Sequence, residues 1–148
     1  MSATELISAS YNTAAGQSIS TATVTIVDFG TKLEDSHSAV TTGGSWKFIA
    51  PVAGEYQVNA AVMIAGGNSL PAGNECNLSL LKNGADYKVL NSHYVQAAST
   101  AAIPLSGSAK VKLNAGEYFD IRVYQTTGAT STLITQSRFN YVDVFRIK

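Results

Sequence analysis

The side chains that could do chemistry are few, and their spacing argues against chemistry. His37 and His93 stand 56 positions apart in sequence. Neither has the second His or carboxylate at the short spacing of a metal site. His93 reads as a strand side chain at a surface or interface. Glu34 and Asp35 are adjacent and could hold a cation, but a solvated turn accounts for them as well. Glu75, Asp86, Glu117 and Asp120 are scattered, and nothing in the sequence pairs two of them as acid and base. The serine-rich stretches lack a nucleophile elbow, and the glycines form no phosphate loop. Cys76 is the single cysteine. It alternates with Leu78 and Leu80, which predicts a buried, inert thiol and no intrachain disulfide. The expectation is therefore no catalytic set, no metal site and no cofactor.

The elements around these residues have period two. From residue 22 onward almost every segment alternates apolar and polar, the pattern of strands with one covered face. TATVTIVDF reads as the first strand, and His37 to Val40 as a short second one. SWKFIAP is bounded by Gly43-Gly44 and Pro51. EYQVNAAVMI places Tyr56, Val58, Ala60, Val62 and Ile64 on one face. ECNLSLL runs into Asn83-Gly84, a pair suited to a type I′ hairpin turn because both central residues need positive φ. DYKVLNSHYV is the return strand. IPLSGSAKVKL directs Ile103, Leu105, Ala109, Val111 and Leu113 inward, and EYFDIRVYQ buries Phe119, Ile121 and Val123. AGGNSLPAGN and TTGATST are polar loops. The last strand is expected to begin near Ser137. There is no helical periodicity and no internal repeat. The expected fold is all-β, a two-sheet antiparallel sandwich of eight to ten strands.

Composition narrows the function classes. A chain of 148 residues is most simply one domain that buries about 70% of its unfolded surface. Charged residues make up 14%, against about 25% in an ordinary domain. Serine and threonine, 16 and 14 of them, take their place and suit strands and hydrogen-bonded turns. Net charge is zero and no basic cluster is present, so phosphate-led binding of nucleic acid has no support. No apolar run approaches the ~20 residues of a membrane helix.

One stretch, residues 29–60, is more specific. It places Phe29, Asp35, Val40, Phe48, Gly54, Tyr56, Val58 and Ala60 at nearly the spacing that marks the globular head of complement component one-q. LSLLKNG (78–84), KVKLNAGEYFDIRV (110–123) and SRFNYVDVFRIK (137–148) follow in the order of that family's later landmarks. The chain thus resembles a complement one-q/tumour necrosis factor-like jelly-roll domain over residues 22–148. The resemblance implies a trimeric binding or shell-building module, with Phe29, Phe48, Gly54, Tyr56, Phe119, Ile121 and Phe139 as structural residues. No calcium-site motif is legible.

The last strand bears on the trimer. Phe139, Tyr141, Phe145 and Ile147 alternate to one side, Val142 and Val144 to the other. A strand apolar on both faces must be covered on both, and in the resembled family the second cover is a neighbouring subunit. Tyr141, Val142, Val144 and Phe145 are the candidate interface residues. Residues 1–21 read as an N-terminal arm or irregular lead-in whose small apolar group, Leu6, Ile7 and Tyr11, could attach to a partner. MSATELISAS carries neither the basic nor the apolar segment of a signal peptide. A module of extracellular type made in the host cytoplasm without export is what a virus released by lysis would encode. The expected function is a phage virion structural protein at the virion surface, a trimeric capsid decoration protein bound to the major capsid protein. The alternative is the receptor- or glycan-binding tip of a tail or head fibre, with a host surface glycan or protein as partner.

Overall fold

A computed structural model describes residues 5–67 and 70–148. They form β1 (Ser8–Asn12), β2 (Ser18–Ile19), β3 (Thr25–Ile26), β4 (Thr31–Asp35), β5 (Val40–Thr41), β6 (Lys47–Ile49), β7 (Gly54–Ile64), β8 (Glu75–Lys82), β9 (Ala85–Tyr94), β10 (Ile103–Leu113), β11 (Tyr118–Gln125), β12 (Ser131–Thr132) and β13 (Tyr141–Arg146). Four of these, β2, β3, β5 and β12, are two-residue bridges. The longer strands carry a sandwich of two antiparallel sheets. The first has the order β10-β7-β13-β1-β4, and the second β5-β6-β11-β8-β9, with β3 on β11. Sequence neighbours such as β10 and β11 fall in opposite sheets, so the chain crosses repeatedly between layers, as a jelly roll requires.

The core sits between the layers and is built from the alternating rows. Tyr56, Val58, Ala60, Val62 and Ile64 of β7 are buried, as are Ile103, Leu105, Val111 and Leu113 of β10. Cys76, Leu78 and Leu80 of β8 and Phe119, Ile121 and Val123 of β11 close it from the other sheet. An aromatic cluster fills one end. Phe48 stacks on Phe119 and meets Tyr56 edge-on, both at 5.4 Å, and Trp46 meets Phe29 edge-on at 5.4 Å. Such offset and T-shaped pairs add to the stabilisation from area alone. The β8–β9 hairpin turns at Asn83 and Gly84 with φ of 52° and 80°.

Several expectations are corrected. Within the expected arm or lead-in 1–21, residues 8–12 are a strand of the jelly roll itself. β1 lies inside the first sheet between β13 and β4, with Ala9 opposite Val144 and Tyr11 opposite Val142. Ile7, Ala9 and Tyr11 are buried in the core, while Leu6 is 84% exposed. The reason is period two: Ser8, Ala9, Ser10 and Tyr11 alternate, and the strand they pair with lies some 130 residues away. The segment 21–29 is mostly not strand. Only Thr25 and Ile26 pair, although Val27 and Phe29 are buried. The short strand expected at 37–40 is displaced to β4 and β5 around the turn that holds His37. Residues 1–4, and Asn68 and Ser69 of the AGGNSLPAGN loop, lie outside the described residues.

The last strand also differs. Ser137–Phe139 is a 3-10 turn, and β13 begins at Tyr141. The buried Asn140 between them takes the inward place, in line with Val142 and Val144. Its side-chain oxygen accepts from Met63 N–H (2.9 Å) and its amide donates to Ile134 O (2.8 Å). Phe139 lies on the outward side with Tyr141, half-buried beside the Arg138 guanidinium, 4.9 Å from its ring, and is not the core residue expected. Gly54 opens β7 where the chain's final residues cross it. A Cβ there would lie 2.6 Å from Lys148 O and 2.5 Å from Arg146 Nε. Close approach, not a tight turn, is what requires glycine.

Candidate functional site

The chemistry-bearing residues are mostly spent on the fold. Asp35 ends β4 as a hydrogen-bond hub: Ala39 N–H donates to Oδ1 (2.9 Å), while Val40 N–H (3.0 Å) and the Tyr11 hydroxyl (2.9 Å) donate to Oδ2. Burial alone would raise its carboxyl, but these donors outweigh burial and hold it below the ordinary carboxylate range. Tyr11 is pushed up to about 12 by burial and by the Asp35 carboxylate. Cys76 is free and buried, its thiol pushed up to about 11 by desolvation and then by the charge of Glu75.

One chain of groups has the order of a catalytic triad. His37 Nε2 lies 2.6 Å from Glu5 Oε1, and His37 Nδ1 lies 2.7 Å from Ser36 Oγ. Ser36 Oγ already accepts Ser8 N–H at 3.0 Å. His37 N–H is turned back to Asp35 Oδ1 (3.4 Å), so these flanking amides are not aimed at a developing oxyanion. The chain ties the start of β1 to the β4–β5 turn. His93 lies exposed on β9. Among the described residues no group of three or more His, Cys, Asp or Glu could hold a metal ion. No helix among them is long and apolar enough to cross a membrane.

Two outer faces remain. The first is the solvent side of β10-β7-β13-β1-β4. Of the four candidate interface residues, Val142 and Val144 point into the subunit's own core, and only Tyr141 and Phe145 face outward. Phe145 is 41% exposed and Leu33, on edge strand β4, 61%. With Ser10, Glu34 and Asp143 they line a depression of about 320 Å³. Tyr141, Ala61, Met63 and Phe139 line a second of about 220 Å³. Asp143 is tied down by the Ser10 hydroxyl at 2.5 Å, while Phe145 and Leu33 stand open to solvent.

The second face is the solvent side of β11-β8-β9, which holds a groove of about 360 Å³ beside Tyr87, Val89, Arg122 and Tyr124. Sequence reasoning did not find it. Tyr87 and Val89 have the right residue types, but irregular pairing of β9 decides where they point. The TTGATST loop, by contrast, is closed on itself. Buried Gln125 donates to Ile19 O and Ala129 O, both at 2.9 Å, and accepts from Thr127 N–H (2.7 Å) and the Thr127 hydroxyl (2.6 Å).

No protein-family model matches the chain, and no curated protein matches it. Solved structures do. Eiger TNF from S. frugiperda superposes with a TM-score of 0.68 at 15% identity, covering 97% of this chain and 93% of that one. Murine APRIL gives 0.66 at 10% identity, covering 97% and 100%. The globular domain of zebrafish complement 1qA gives 0.63 at 18% identity, covering 96% and 98%. At these identities the likeness concerns architecture, and the chain has the jelly-roll sandwich fold of TNF-like and complement 1q-like domains.

Proposed function

We propose that the protein works by binding rather than by catalysis, as a homotrimer seated on a larger assembly. The observation that carries this reading is the group of uncovered apolar side chains on the first sheet: Phe145 and Leu33, with the half-buried Tyr141 and Met63 beside them. Burying them against a second copy would remove apolar surface from water, the main favourable term in association. The order of landmarks in the sequence, which resembles that of the complement one-q head, favours a three-fold arrangement over a two-fold one.

Within that class the protein is a phage virion protein that decorates the capsid and stabilises the shell, with the major capsid protein as partner. A chain with only 14% charged residues and no net charge suits seating by shape and hydrogen bonding, independent of salt. Because β1 is built into the sandwich, attachment falls to the loops and the outer faces, with Leu6 the exposed member of the group Leu6, Ile7 and Tyr11. Binding the assembled shell alone stabilises it by mass action. The fibre-tip alternative draws on the tyrosine-lined groove of the second sheet.

The test has two stages. Light scattering behind size exclusion should give three times 15.5 kDa. Phe145→Glu combined with Tyr141→Lys should give a folded monomer with unchanged β-sheet circular dichroism. A wild-type monomer at micromolar concentration defeats the trimer. Shells assembled without the protein should then bind wild type and resist heat better. A trimer that ignores such shells defeats the decoration reading.

A further inference from the structure

The groove on the second sheet is made by two slips in the β8–β9 pairing. Leu78 pairs with Asn91 but Ser79 with Val89, and Leu80 pairs with Lys88 but Leu81 with Asp86. Leu90 and Tyr87 are the extra residues. Bulges bend a strand and re-aim its side chains, and here they sort β9 into two sets. Lys88 and Asn91 turn to the adjacent edge of the first sheet, where Lys88 Nζ donates to Lys110 O and Asn91 Nδ2 to Ser106 O, both at 2.9 Å. Tyr87 and Val89 stay outside, 43% and 64% exposed, and form one wall of the groove.

The rest of the groove is rigid and polar. Arg122 Nε and Nη2 donate to the two oxygens of Asp120, at 2.8 and 3.1 Å, and Asp120 is itself buried. This bidentate bond raises the guanidinium further above its ordinary value and holds its plane fixed. Arg122 Nη1, the Asp86 carboxylate and Asn77 Nδ2 have no hydrogen-bond partner among the described residues. Asn77 Oδ1 is taken by the Ser92 hydroxyl at 2.6 Å, which orients its free amide. Tyr124 completes the floor.

We propose that this groove binds a short neutral saccharide. Its volume falls within the range of small-ligand sites. Its chemistry excludes the simpler classes. Lys88 also lines the groove, 5.2 Å over the Tyr87 ring, but its ammonium is engaged by Lys110 O at 2.9 Å; an anion drawn to Arg122 meets Asp86, and a cation drawn to Asp86 meets Arg122 and Lys88. A wholly apolar ligand would strip water from Arg122 and Asp86 without replacing it, which unpaired polar groups oppose. A sugar ring matches the mixture: its C–H face lies on tyrosine and valine, and its hydroxyls both accept from Arg122 and Asn77 and donate to Asp86. The groove lies on the sheet opposite the proposed trimer face, so this inference stands independently of self-association.

Amide NMR shifts of the full-length protein, titrated with maltotriose, cellotriose, triacetylchitotriose and the charged 3′-sialyllactose, test it. At least one neutral trisaccharide should saturate with a Kd of about 1 mM or tighter and move the amides of Asn77, Ser79, Tyr87, Val89, Arg122 and Tyr124. Tyr124→Ala should weaken binding at least about tenfold. Asp86→Asn, which alters an exposed carboxylate without a hydrogen bond, should weaken it with the fold intact. Tyr94→Ala, an exposed tyrosine of β9 outside the groove, should change nothing. The proposal is overturned if no neutral trisaccharide moves these amides at about 10 mM, if shifts map elsewhere, if sialyllactose binds tightest, or if binding survives Asp86→Asn unchanged. Translational diffusion on the same samples reports the oligomeric state, so loss of the trimer is read separately.

Discussion

Tyr11→Ala should destabilise the whole domain, because Tyr11 belongs to the core and not to an appendage. Its ring is 4% exposed and meets Trp46 edge-on at 6.2 Å. Removing a buried aromatic ring costs ~3–5 kcal/mol, a large share of the ~5–15 kcal/mol that holds a domain together. Tyr11→Phe keeps the ring and removes only the 2.9 Å bond to Asp35 Oδ2. A hydrogen bond to a charged group contributes ~1.5–3 kcal/mol. Asp35 keeps its backbone donors and some solvent, so the lower end, about 1.5 kcal/mol, applies. The pH dependence has a definite sign. The folded Asp35 carboxyl lies below its unfolded value of ~3.9, so its stabilisation is complete above that value and is lost as pH falls through the folded one. Tyr11→Phe should shrink that acid-side loss. Tyr11 itself is raised, so its contribution is whole below ~10 and lost as pH rises towards about 12. Urea melts followed by fluorescence of the single, buried Trp46 report all of this within the same cluster. A loss below ~1 kcal/mol for Tyr11→Ala, or an unchanged melt after deletion of residues 1–12, would refute the reasoning and return these residues to the status of an arm.

Other outcomes follow from single contacts. Cys76 should not react with an alkylating reagent at pH 8 until the protein unfolds, since burial both blocks the thiol and pushes it up to about 11; native-state labelling by mass spectrometry checks this. Gly54→Ala should cost ~1–3 kcal/mol by overpacking against Lys148 O, and an unchanged denaturant midpoint would show that the C-terminal residues yield freely. Asn140→Ala should cost ~3 kcal/mol by leaving Met63 N–H and Ile134 O without partners, with thermal melts as the measure; a cost under ~1 kcal/mol would mean that water replaces the amide.

The legible parts of the fold were those governed by local period. The inward rows of β7, β8, β10 and β11 read directly from alternation, and so did the Asn83-Gly84 turn and the burial of Cys76. The illegible parts depended on partners distant in sequence. Nothing near Tyr11 announces that residues 141–145 will pair with it. Phe139 shares the parity of Tyr141 and Phe145, so its place depended on which face of β13 the core takes. The apolar character of both faces of β13 was visible in Tyr141, Val142, Val144 and Phe145, but which pair faces the core was not.

What the sequence by itself determined is which side chains share a face, because alternation is a property of neighbouring residues along one extended strand. What only the tertiary structure decided is what covers each face. That depends on strand order, which brings β1 between β13 and β4, and on register slips, which turn Tyr87 and Val89 towards Arg122. Both arise from contacts between segments far apart in the chain, where a shift of one residue exchanges the buried and exposed sides.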